Sequence, residues 1–122
     1  MMSETIDLPT ILDRLEGGTQ RKLEVFAMLN LGMVQSLWSG ALTVADAITR
    51  FYNAGNCQYV RRRMRSKTAD EIMSRGVQLP DLFDVLPPAE AQRELANELE
   101  SMRALCLKSL RPSSRQRLRV AR

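Results

Sequence analysis

Two pairs of side chains in this sequence could do chemistry by type and spacing. Asp81 and Asp84 stand three residues apart, so a helix would put both carboxylates on one face, where they could share a hard cation such as magnesium. Cys57 and Cys106 could act as thiol nucleophiles. Neither pair has a context that develops the chemistry. Two carboxylates on an exposed face are usually solvated, and the cysteines belong to no C-x-x-C pair. The chain has no histidine, which removes the commonest general base, the usual catalytic triads and the commonest zinc ligand. Gly17-Gly18 lacks the G-x-x-x-x-G-K-[ST] pattern of a phosphate cradle. The expectation is a protein without enzymatic activity, cofactor or metal, whose cysteines are small thiols in a reducing cytoplasm.

The remaining chemistry is charge. CQYVRRRMRSK carries Arg61, Arg62, Arg63, Arg65 and Lys67, five cations in eleven residues. On a helix, Cys57, Val60 and Met64 form one apolar seam with the cations around it. Charge is segregated along the chain: residues 1–56 carry net −2, 57–76 net +4, 77–107 net −4 and 108–122 net +6. Within the acidic block Glu90, Glu94 and Glu98 repeat at i, i+4, where like charges repel mildly and a basic partner would help. The arginine-rich segment could be that partner, in the same chain or in another copy.

A second use for those cations is phosphate. The arginine run, Arg115, Arg117 and Arg119 in RPSSRQRLRVAR, an isoelectric point near 9.6 and a tyrosine, Tyr59, beside the cluster all favour nucleic acid. Against it stand the nearly equal acidic share and the lack of any known nucleic-acid-binding signature. The preferred expectation is therefore an interaction or scaffold module that self-associates through its C-terminal helix and its arginine-rich helix. The alternative is an accessory nucleic-acid-binding protein that contacts phosphates through Arg61–Lys67 and the C-terminal arm.

The elements that would position these groups are helical. Leucine, alanine and methionine are plentiful, aromatic residues few, and β-branched runs missing. IDLPTILDRLEGG predicts a helix of about two turns that opens at Pro9 and stops at Gly17-Gly18. Thr19–Trp38 predicts a central helix, apolar on most of its circumference, with Gly32 marking a close helix crossing. LTVADAITRFYNAGN predicts a helix capped by Thr43 and ended by a left-handed Gly55. TADEIMSRG has capping-box spacing from Thr68 to Glu71 and a stop at Gly76, and VQLPDLFDVLPP reads as a separate short helix between prolines. Pro88 opens the longest helix, to about Leu110, with Leu95, Leu99, Met102 and Cys106 on its core seam.

LPTILDRL and LPDLFDVL echo each other, each ahead of a long helix, and suggest two short-helix, long-helix units. The resulting expectation is an all-α bundle of five to seven helices in one domain, residues 1–110, followed by a basic, flexible arm, residues 111–122. Val25–Ala45 is uncharged and long enough for a bilayer, but Asn30, Gln35, Ser36 and Ser39 within it favour a buried core helix and no membrane span. MMSETIDLP lacks the basic start and apolar run of a secretory leader, which fits the cytoplasm.

Overall fold

A computed structural model describes residues 4–110, whose regular structure is all helical, with no strand among them. The helices are α1 (Leu8–Leu12), α2 (Gly18–Ser39), α3 (Val44–Arg50), α4 (Ala54–Tyr59), α5 (Lys67–Val85) and α6 (Pro88–Leu110), with a π turn at Val60–Met64 between α4 and α5. No helix among the described residues is long and apolar enough to cross a membrane.

α2 is the axis of the bundle because Phe26, Ala27, Met33, Val34 and Leu37 bury along it, and α1, α3, α5, α6 and the π turn all pack on it. Its apolar surface is not buried all round, since Met28 and Trp38 are more than half exposed. It stops at Gly40, whose φ of 81° is left-handed and open to glycine without steric cost. α6 lays Ala91, Leu99, Met102 and Cys106 against α2 and α5, on the face the leucine-methionine spacing predicts.

The uncharged run holds one polar residue that ties the core together. Asn30, fully buried on α2, donates from Nδ2 to the Phe26 carbonyl at 3.0 Å and accepts the Tyr52 hydroxyl at 2.9 Å on Oδ1. A buried amide without such partners would cost about 1–3 kcal/mol. Tyr52 reaches it by packing its ring against α5 at Gly76, where a Cβ would stand 2.6 Å from the ring Cγ. Asn56 makes the matching tie at the N-terminus. Its Oδ1 accepts from Leu8 N at 3.0 Å, and its Nδ2 donates to the carbonyls of Ile6 (2.7 Å) and Phe51 (2.8 Å).

Several local expectations are corrected. Gly76 does not end a helix: α5 runs through it and through Pro80 to Val85, so LPDLFDVL is the last part of α5 and not a second short helix. Proline in a helix interior costs about 3 kcal/mol because it has no N–H for the carbonyl four residues back. Burial of Ile72, Met73 and Leu79 on one row of α5, with Leu82 packed on the core beyond Pro80, offsets that cost. The two Leu-Pro segments therefore occupy different contexts, and the paired-unit reading fails.

Gly32 is exposed with nothing near its missing side chain, so no helix crosses there. α3 ends at Arg50, and Gly55 lies inside α4 with ordinary helical backbone. The turn between them is made instead by Asn53, whose side chain caps α4 by accepting from Asn56 N at 3.0 Å. α5 is capped by Ser66, two residues before the expected Thr68, through a 3.1 Å bond from Ala69 N. Thr43 caps α3 as expected, accepting from Asp46 N at 3.0 Å.

Candidate interaction surface

The arginine-rich segment is helical but not one straight helix. α4 widens at Val60–Met64 into a π turn, and the chain then reverses at Arg65, which is left-handed at φ 52°, ψ 45°. For a residue with a Cβ that conformation costs about 1 kcal/mol or more, and both features are found preferentially at functional sites. Val60 and Met64 are buried and Cys57 half-buried, as the seam requires. Arg61, Arg62, Arg63, Arg65 and Lys67 are all exposed.

Only Arg61 among these five has a carboxylate within ion-pair distance among the described residues: Asp70, at 3.8 Å. Both side chains are well exposed, 65% and 43%, so the pair contributes little and leaves Arg61 free to turn outward. Arg63 also lies close enough to Asp13 to favour that carboxylate's charged form.

The acidic stripe on α6 does not meet this cluster. α6 packs on α2 and α5 and not on the π turn. Glu98 is claimed by Arg75, whose Nη1 donates to it at 3.0 Å while Nε donates to Glu71 Oε2, also at 3.0 Å. These two carboxylates push the Arg75 guanidinium above its ordinary range, Glu71 first. The two-residue connection between α5 and α6 folds them antiparallel, and Arg75 and Glu98 face each other across the pair. From that contact, Lys67 lies eight residues one way along α5 and Glu90 eight residues the other way along α6, a separation of about 24 Å at 1.5 Å per residue. That is about three Debye lengths at physiological salt, and Glu94, about 18 Å from Lys67, lies about two away, so Lys67 is largely screened from both carboxylates. Glu90 and Glu94 are exposed and without an ion-pair partner among the described residues.

Other sequence candidates fall elsewhere. Tyr59 cannot stack on a base: it is buried, and its hydroxyl donates to Asp13 Oδ1 at 2.7 Å. Burial, reinforced by that carboxylate, pushes its hydroxyl up to about 12, and the same bond holds Asp13 below the ordinary carboxylate range. Asp81 and Asp84 are exposed near the end of α5, and no group of three or more potential metal ligands forms among the described residues. Burial raises both thiols, Cys106 to about 11. Arg115, Arg117 and Arg119 lie outside the described residues.

Sequence reasoning also missed two features. Arg75 is the real partner of the stripe, detectable only in part through its i, i+4 spacing from Glu71. A 390 Å³ apolar hollow, lined by Leu37, Leu42, Val44, Phe83 and Leu95, opens at the end of the bundle opposite the arginines, with Trp38 alongside. It joins elements far apart in sequence, so no local pattern announces it.

Comparison with known families decides the relationship of this chain. Residues 18–121 match the family described as protein of unknown function DUF3969. The chain belongs to that family. The match begins with α2, so α1 stands ahead of the part that defines the DUF3969 family. No curated protein and no solved structure matches the chain.

Proposed function

We propose that this DUF3969 protein is a non-enzymatic interaction module of a reducing cytoplasm that self-associates, setting the arginine-rich turn of one copy against the exposed Glu90–Glu94 edge of α6 in another. The observation that carries the reading is the separation of the two patches. Each chain holds a cationic end with only a solvent-exposed ion pair, Arg61–Asp70, and an acidic edge whose Glu90 and Glu94 have no ion pair among the described residues, and α6 does not pack on the π turn. Complementary patches of this kind steer encounter and set orientation more than they add affinity. The expected complex is therefore reversible and weakened by salt. Two free cysteines, one buried and one half-buried, fit a compartment where disulfides do not persist.

Sedimentation or light scattering of the purified chain over protein concentration tests it. A concentration-dependent mass above the monomer is expected, lost in Glu90→Gln/Glu94→Gln and in the Arg61, Arg62, Arg63, Arg65→Gln variant, and reduced by raising salt from 50 to 500 mM. A strict monomer at all concentrations, or an oligomer unchanged in both variants, overturns the reading.

A further inference from the structure

The larger clefts of the bundle differ in whether their polar groups are already engaged. In the 420 Å³ cleft along α5 and α6, Glu71, Arg75 and Glu98 bond one another. The 390 Å³ hollow offers a ligand only Gln92 and Thr43, and Thr43 is held by its cap. A further cleft, of 360 Å³, lies between α5 and the segment that runs from α4 into the π turn. Its floor is apolar: the Tyr52 ring, Met73 and the exposed Val77. Asn53 and the Tyr52 hydroxyl are already bonded, but Arg61, Asp70, Ser74 and Gln78 make no side-chain hydrogen bond among the described residues. A cavity above about 300 Å³ with apolar walls and a few convergent polar groups is the usual form of a small-molecule site.

The two charges select the ligand. Arg61 Nε stands 3.8 Å from Asp70 Oδ1, too far for a hydrogen bond, so each keeps its bonding capacity. Cys57 shares the cleft: burial raises its thiol, and Arg61 and Asp70 act on it in opposite directions. An anion alone would be attracted to Arg61 and repelled by Asp70, and a cation alone the reverse. A neutral apolar molecule would cover both charges and pair neither, which is costly. A molecule with a carboxylate and an ammonium on one carbon, and an apolar tail, meets every requirement. The Arg61 fork can donate to its carboxylate, and Asp70 can accept from its ammonium. Ser74 and Gln78 supply further hydrogen bonds, and the tail covers Met73 and Val77.

We infer that this cleft binds a free α-amino acid with an apolar side chain, its carboxylate on Arg61 and its ammonium on Asp70. The site goes beyond self-association and does not require it, since every lining residue belongs to one chain.

The test is isothermal titration calorimetry of the full chain with L-leucine and with L-phenylalanine, beside maleimide labelling of Cys57 read by mass spectrometry. At least one of the two probes should saturate below about 1 mM. Leucinamide lacks the carboxylate and 4-methylpentanoate the ammonium, and each should bind about tenfold more weakly than leucine or worse, the scale of a charged hydrogen bond lost. Arg61→Gln and Asp70→Asn should weaken amino-acid binding by a similar factor. Val77→Glu puts a charge on the exposed part of the floor and should abolish it, while Arg93→Gln, an exposed cation outside the cleft, should leave it unchanged. Amino acid at ten times its dissociation constant should slow labelling of Cys57 about tenfold by mass action. Three results overturn the inference: no saturable heat with either probe up to about 10 mM, an amide or acid that binds as tightly as the amino acid, or Cys57 labelling unchanged at saturation. Mass measured without amino acid reports on self-association separately.

Discussion

Gly76 and Gly32 are both helical glycines, and replacing each with alanine should move stability in opposite directions. In a helix interior alanine is about 1 kcal/mol better than glycine. At Gly32, exposed and with open space around it, that gain should appear whole. At Gly76 the new methyl would meet Tyr52 Cγ at 2.6 Å and other ring atoms as closely. The ring cannot slide away cheaply. It is buried, sits edge-on to Phe51 with ring centres 5.0 Å apart, and is held by its hydroxyl to Asn30 at 2.9 Å. Overpacking of this kind costs about 1–3 kcal/mol. Drawing the hydroxyl from Asn30 strands a buried amide oxygen for about 1–3 kcal/mol more. Set against the propensity gain, Gly76→Ala should lose about 3 kcal/mol, whereas Gly32→Ala gains about 1. With a urea slope of about 2 kcal/mol/M, the midpoints should fall by roughly 1.5 M and rise by roughly 0.5 M. Equilibrium urea unfolding followed by circular dichroism reads both. A double-mutant cycle with Tyr52→Val should show coupling above about 1 kcal/mol, because the smaller side chain makes room for the methyl. If Gly76→Ala is as stable as the parent, Tyr52 does not lie against α5 as described and the lock from α5 to α2 is wrong.

Asn56→Ala should cost about 2–4 kcal/mol, because it leaves the Leu8 N–H and the Ile6 and Phe51 carbonyls without their partner, and hydrogen exchange should show Leu8 unprotected before the rest of the bundle. Tyr59→Phe should change the pH profile at both ends. The Tyr59 hydroxyl is raised on folding, so its contribution is complete below about pH 10 and lost as pH climbs toward about 12. Asp13 is lowered by the same bond, so its contribution is present above the ordinary carboxylate range and lost as pH falls below about 4. Unfolding of the Phe variant should therefore depend less on pH in both windows, and identical profiles would refute the Tyr59–Asp13 bond. Toward a thiol reagent at neutral pH, Cys57 should react slowly and Cys106 only when the chain unfolds, which counting reactive thiols with and without urea would show.

The long helices were legible because their signals are local. α6 begins at the proline and buries the leucine-methionine seam that the spacing shows, and Thr43 caps α3 three residues before the amide it holds. Such features depend on periodicity and on contacts within one turn, which a chain carries wherever it packs. The errors came where tertiary contacts outweighed local preference. Pro80 and Gly76 read as helix breaks, yet the buried row of α5 spans both, and Gly76 is there for the Tyr52 ring. Tyr59 read as a stacking group because it adjoins arginines, but its hydroxyl is spent on Asp13, forty-six residues earlier.

For the site, the sequence by itself determined the identity of the cations, their exposure on a short amphipathic helix and the absence of imidazole chemistry. Only the tertiary structure decided which charges can meet. Arg75 takes Glu98, and along the antiparallel helices Glu90 lies about 24 Å and Glu94 about 18 Å from Lys67. Charge is a property of residues, but compensation falls with distance, and distance is set by how helices pack.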